Sequence, residues 1–182
     1  MLDCISNSPA KLLANAILNE TSTSFWLLSG SSGAGKTTCC AEIVTQVRAA
    51  GMSVGGLLCP GIFENGKKVG IDQVDIRTGQ RQRLGTRGDK ARVNTVGCWQ
   101  MDEGVLGWGN AVIARLKAED LIVIDELGPL ELEEGNGYQE ALRLLDEKRY
   151  QLALVVVRPA LLPLAQTRWP QAQVVMLAEA LA

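Results

Sequence analysis

The chain has 182 residues, 47% of them hydrophobic and 21% charged, with a formal net charge of −2. That length suits one domain with a sizeable core, and the near-neutral charge gives no reason to expect a nucleic-acid or anionic-membrane partner. No apolar run approaches the roughly eighteen residues that span a bilayer, and Met1-Leu2-Asp3-Cys4 lacks the basic head of a secretion signal, so the expectation is a cytoplasmic protein that does not enter a membrane.

Residues 1–22 read as an N-terminal extension containing a helix, because Leu12, Leu13, Ala16 and Ile17 recur at helical spacing after Ser8-Pro9. Phe25-Trp26-Leu27-Leu28 is a compact apolar run that suits a buried strand feeding the turn at Ser29-Gly30. After Lys36 the period changes: Cys40, Ile43, Val44 and Val47 form one face of a helix that stops near Ala50-Gly51. Residues 54–59 are the next expected strand. Over 61–84, Asn65-Gly66 is a two-residue hairpin signal and Thr78-Gly79 a second turn, which predicts an inserted antiparallel meander. Val69, Ile71, Val74 and Ile76 change phase along its middle strand, as a bulge would make them do.

Residues 85–94 are basic and polar (Arg87, Lys90, Arg92) and read as a loop. A strand over 96–101 then leads to a helix capped by Asp102 and running to about residue 117. Leu121-Ile122-Val123-Ile124 is a short, wholly apolar strand ending in Asp125-Glu126. Asn136 is the expected cap of a helix over 137–149, with Glu131, Glu133 and Glu134 before it as surface acids. A buried strand at 153–157, a short helix at 160–167 interrupted by Pro163, and a strand at 173–177 complete the chain. Strands alternating with helices imply an α/β fold with a mainly parallel central sheet flanked by helices.

The five cysteines (Cys4, Cys39, Cys40, Cys59, Cys98) contain no C-x-x-C pair and read as free, mostly buried thiols; a metal site from Cys59 and Cys98 has no support in their spacing. There is no histidine. Acid–base work therefore falls to carboxylates, lysine or water. The four tryptophans (Trp26, Trp99, Trp108, Trp169) are expected in the core or at its rim.

Gly30-Ser31-Ser32-Gly33-Ala34-Gly35-Lys36-Thr37 satisfies G-x-x-x-x-G-K-[ST] between an apolar strand and an amphipathic helix. Glycines at this spacing let several backbone N–H groups turn toward one anion, and the helix start adds more donors and a positive dipole end. Lys36 is placed to reach the β- and γ-phosphates of a nucleoside triphosphate, the Thr37 hydroxyl to bind Mg²⁺, and Thr38 to meet the α-phosphate. Asp125, at the carboxyl end of a buried strand beside the P-loop strand, is the expected second Mg²⁺ residue. Glu126 is the best available base for the attacking water. Arg158 follows the strand at 153–157 directly, where an arginine can stabilise γ-phosphate charge; Arg87 and Arg92 are weaker candidates for that role.

Residues 30–38, the run Gly55-Gly56-Leu57-Leu58-Cys59-Pro60 leading to Asn65-Gly66-Lys67-Lys68-Val69-Gly70-Ile71-Asp72, and Val123-Ile124-Asp125-Glu126-Leu127-Gly128-Pro129-Leu130-Glu131-Leu132 together resemble the small P-loop nucleoside-triphosphatase family. That family includes the thermophile NTPase and the cancer-related nucleoside-triphosphatase. The resemblance covers roughly residues 24–160 and implies one RecA-like domain of the additional-strand class over 1–182. It implies slow Mg²⁺-dependent hydrolysis of several triphosphates (ATP, GTP) to diphosphate and phosphate, with Lys36, Thr37, Asp125 and Glu126 at the family's phosphate, magnesium and catalytic positions. Two other classes compete with this one. An accessory or switch protein for cofactor or metalloenzyme assembly would bind a protein partner through the N-terminal extension or the meander. A small-molecule or nucleotide kinase would need an acceptor pocket.

Overall fold

The computed structural model describes residues 8–87, 95–96, 99–117 and 119–178. In chain order the first half contains α1 (Pro9–Leu18), β1 (Ser24–Ser29), α2 (Lys36–Ala49), β2 (Val54–Leu58), β3 (Gly61–Glu64), β4 (Lys67–Asp75), β5 (Arg81–Arg87), β6 (Thr95–Val96) and β7 (Trp99–Met101). The second contains α3 (Glu103–Ala114), β8 (Leu121–Leu127), α4 (Pro129–Leu132), α5 (Gln139–Asp146), β9 (Leu152–Val157), a 3-10 turn at Pro159–Leu161, α6 (Leu162–Arg168) and β10 (Gln173–Met176).

The ten strands among the described residues join one sheet in the order β10-β1-β9-β8-β2-β4-β5-β7-β6, with β3 alongside β4. From β10 to β2 every pairing is parallel. From β2 outward every pairing is antiparallel. A continuous apolar run in a strand needs cover on both faces, and the runs in β1, β8 and β9 have it. Phe25, Leu27, Ile122, Ile124, Ala153 and Val155 point into the cluster with α3, α5 and α6 residues. The alternate residues Trp26, Leu28, Leu121, Val123, Leu154 and Val156 point into the cluster with α1 and α2. Each such leucine, isoleucine or valine contributes about 1.5–3 kcal/mol by leaving water.

Within the N-terminal extension Pro9–Leu18 is helical, with the Lys11 N–H donating to Ser8 Oγ at 3.2 Å, and the helix ends at Asn19. Its apolar face (Ala10, Leu13, Ala14, Ile17) is spent inside the fold, in the cluster shared with Cys40, Ile43 and Val47 of α2. Among the described residues no helix is long and apolar enough to cross a membrane.

The meander is present, with both predicted turns and a register shift between Ile71 and Asp72. It extends the main sheet: β4 pairs with β2 through Leu57–Asp75 and Leu58–Val74. Several expectations change. The strand expected over 96–101 is two short strands, β6 and β7, paired antiparallel through Thr95–Gln100 and Val96–Trp99, and Pro163 opens α6 rather than interrupting it. Residues 85–87 belong to β5 rather than to a loop, and the rest of that stretch, residues 88–94 with Lys90 and Arg92, lies outside the described residues. Helix α3, capped by Asp102 as expected, stops at Ala114 rather than 117. Asn136 caps nothing, because Gly137 takes φ +68° and α5 starts only at Gln139. A left-handed residue there breaks the helix that local composition suggested.

Candidate active site

The loop 30–37 leaves the carboxyl end of β1 and turns into α2 with Gly33 and Gly35 at φ +84° and +83°, the left-handed backbone that the glycine spacing anticipated. The first helical bond is Cys39 N–H to Gly35 O at 2.8 Å, so the N–H groups of Lys36, Thr37 and Thr38 belong to the set with no intrahelical acceptor. Lys36 Nζ folds back over the loop and donates to the carbonyl oxygens of Gly30 and Ser31, both at 2.7 Å. Partial burial lowers the Lys36 pKa, while Glu126 and Asp125 oppose that shift. Ser32 and Thr38 are exposed at the loop surface, and Ala34 packs against the α1–α2 cluster.

Asp125 is 2% exposed. Its Oδ1 accepts from Thr37 Oγ1 at 3.2 Å and its Oδ2 from the Cys59 N–H at 3.0 Å. Burial pushes its carboxyl pKa up to about 6, against the pull of those two donors. The strand carrying it is not directly beside the P-loop strand. Strand β9 pairs with β1 on one side and β8 on the other, the intervening strand of the additional-strand class. That order places Arg158, just after β9, between the P-loop and the Asp125-Glu126 pair. Its Nε donates to Glu126 Oε1 in an ion pair whose side chains are 56% and 30% exposed.

The fold thus gathers Lys36, Thr37, Asp125, Glu126 and Arg158 at one sheet edge. Thr37, Asp125, Glu126 and Arg158 share the lining of one cavity of about 140 Å³. Arg87 does not join them: it is exposed at the end of β5 in the antiparallel half. Arg92 lies outside the described residues, as do Cys98 and Cys4. Among the described residues no group of three or more His, Cys, Asp or Glu side chains is arranged to hold a metal. The donor set nevertheless fits a hard divalent ion. A hydroxyl and a carboxylate sit at hydrogen-bond distance, and the carboxylate is buried at a cost that a cation would remove.

Sequence reading missed a second layer of residues. Glu131, expected at the surface, is 5% exposed. Its Oε2 accepts from the Gly128 N–H at 2.7 Å and its Oε1 from the Tyr138 N–H at 2.9 Å, pinning the backbone just beyond Glu126. The signal was available, since glutamate three residues after a helix-starting Gly128-Pro129 is the reach-back half of a capping box. Gly137 is required beside it, because a Cβ there would lie 1.8 Å from Glu131 Oε1. Tyr138 in turn donates its hydroxyl to Gln73 Oε1 and meets Cys59 Sγ at 3.9 Å, while Gln73 Nε2 donates to Val105 O at 3.0 Å. Nothing local marked Gln73, whose role exists only because β4 and α3 meet.

A family model described as NTPase matches residues 26–177. The nucleoside-triphosphatase THEP1 of Methanopyrus kandleri is 32% identical over 118 residues, 64% of each chain. That of Ignicoccus hospitalis is 37% identical over 58% of this chain and 59% of its own. These matches therefore span less than two thirds of either relative. The THEP1 of Pyrococcus abyssi is 33% identical over 73% of this chain and 74% of its own. The solution structure of a human cancer-related nucleoside triphosphatase covers 86% of this chain and 89% of its own with a TM-score of 0.65 and 20% identity. The crystal structure of THEP1 from Aquifex aeolicus gives 0.64 and 18% over 84% and 89%. These two likenesses show the P-loop fold.

Proposed function

Because the chain belongs to the nucleoside-triphosphatase family, we propose that it hydrolyses nucleoside triphosphates to diphosphate and phosphate with Mg²⁺. The observation that carries this reading is the bond from Thr37 Oγ1 of the P-loop to Asp125 Oδ1, with Glu126 next in the chain. Backbone N–H groups at the start of α2 and the Lys36 ammonium bind the phosphates. To do so, Lys36 exchanges its carbonyl partners at Gly30 and Ser31 for phosphate oxygens, a stronger charged pairing. Thr37 and Asp125 would hold the Mg²⁺, which when bound neutralises charge on the β- and γ-phosphates. Glu126 orients a water and accepts its proton, and Arg158 turns from Glu126 to the γ-phosphate. Contacts of this kind recognise phosphate rather than base, so ATP and GTP are both expected substrates.

Phosphate release from a panel of triphosphates, with and without Mg²⁺, tests the reading. Lys36→Ala should lose release along with binding, and Glu126→Gln should bind nucleotide but not turn it over. Wild-type release by Lys36→Ala would sink the proposal; normal turnover by Glu126→Gln would remove Glu126 as the base.

A further inference from the structure

Every group assigned to hydrolysis lies on the P-loop, β8 or the residue after β9. Hydrolysis asks nothing of the antiparallel half of the sheet, yet that half builds a wall beside Glu126. The cavity of about 140 Å³ is polar where Thr37, Asp125, Glu126 and Arg158 line it. Beyond them one wall is apolar, with Ile71 of β4, Leu84 of β5, Trp99 and Met101 of β7, Leu106 of α3 and Leu130 of α4, and Lys68, Glu131 and Tyr138 also line the space. Lys68 Nζ stands 5.3 Å from the Trp99 ring centre, a contact that orients the indole. The chamber adjoins a wider hollow of about 560 Å³ that shares Met101, Leu106 and Leu130 and has Glu134 and Asn136 on its rim.

A fixed water is held by several polar partners with hydrogen bonds to spare. A site meant only for water would place hydrogen-bonding groups around the attacking position. Here the polar side chains beyond the base are already committed, Glu131 to the Gly128 and Tyr138 N–H groups and the Tyr138 hydroxyl to Gln73, and the rest of the wall is aromatic, thioether and aliphatic. Small-molecule sites have this character: a mostly apolar pocket with a few convergent polar groups at one end.

We propose that this chamber is a phosphoryl-acceptor site, and that the protein transfers the γ-phosphoryl group to a small alcohol with an apolar, ring-sized body. The proposal rests on the reading of Lys36, Thr37, Asp125 and Glu126 as the triphosphate site. In the transfer, the alcohol oxygen forms a bond to the γ-phosphorus and the bond from that phosphorus to the bridging oxygen breaks. The electron pair of the broken bond leaves with the diphosphate, and the hydroxyl proton passes to the Glu126 carboxylate. The products are a phosphate monoester and nucleoside diphosphate. Hydrolysis is the same step with water in place of the alcohol.

The test counts diphosphate formed and inorganic phosphate released in one reaction, with benzyl alcohol and then 2-phenylethanol as probes. With either alcohol, diphosphate should exceed phosphate, and ³¹P NMR should show the deficit as the phosphate ester. Leu106→Trp and Met101→Trp fill the chamber from α3 and from β7 and should abolish the excess; nucleotide affinity and melting temperature report that each is folded. Equal diphosphate and phosphate at saturating levels of both alcohols would overturn the acceptor site and leave hydrolysis standing. Diphosphate formed only when alcohol is present would support the acceptor site and overturn hydrolysis. No diphosphate under either condition would overturn both.

Discussion

Arg158 donates through Nε to the Glu126 carboxylate, joining the carboxyl ends of two neighbouring parallel strands. The pair occupies both the expected base and the expected charge stabiliser. A γ-phosphate competes for the guanidinium because it offers more charge and more acceptors. Arg158→Gln is therefore expected to lower kcat about 10²–10³-fold, the scale of losing one transition-state donor. Triphosphate affinity should change much less. Single-turnover rates and equilibrium binding separate the two, and an unchanged kcat would make the ion pair merely structural.

Asp125 sets stability against function. Its carboxylate is buried, accepts from Thr37 and the Cys59 N–H, and has its pKa raised by burial to about 6. Asparagine keeps an acceptor for the Cys59 N–H and removes the buried charge. The expected result for Asp125→Asn is a melting temperature at neutral pH, without nucleotide, equal to or above that of wild type. Mg²⁺-dependent turnover should be lost. A clear drop in melting temperature would mean that the carboxylate is the stabilising partner in this cluster.

Glu131 accepts one N–H on each oxygen, from Gly128 and Tyr138. A glutamine amide can accept only on its oxygen, leaving its NH₂ facing the other donor. Glu131→Gln should cost about 1–3 kcal/mol by that unsatisfied pair, which chemical denaturation will measure. Gly137→Ala should cost more, since it combines φ +68° with a Cβ 1.8 Å from Glu131 Oε1. Wild-type stability in both variants would refute the assignment of this backbone clamp.

Acid sensitivity should be traceable in part to Asp146, which accepts from Arg168 Nε at 3.0 Å and Nη2 at 2.6 Å and from Trp169 Nε1 at 2.8 Å. The Arg168 bonds chiefly hold its pKa below the usual aspartate value. A carboxylate with a depressed folded pKa adds stability above its unfolded pKa and loses it as pH falls through the folded one. Because the pair is solvent-screened, the contribution is about 1 kcal/mol or less. Asp146→Asn should lower the melting temperature at neutral pH and show no deficit once pH falls well below 4. A deficit that persists in acid would point to packing of Trp169 rather than charge.

Much of the architecture was legible from local chemistry. The turns at Asn65-Gly66 and Thr78-Gly79, the glycine-led loop between an apolar strand and an amphipathic helix, and the apolar run ending in Asp125-Glu126 each follow from what neighbouring residues permit. Backbone conformation and hydrophobic period are short-range properties, so the sequence by itself determined these elements and their candidate phosphate and metal residues. Only the tertiary structure inserted β9 between β1 and β8, bringing Arg158 to Glu126. It also buried Glu131 under Tyr138, tied Tyr138 to Cys59 and Gln73, and folded β4, β5 and β7 over the base. Strand order and burial depend on which surfaces distant segments can cover in one another, and no local pattern along the chain encodes that.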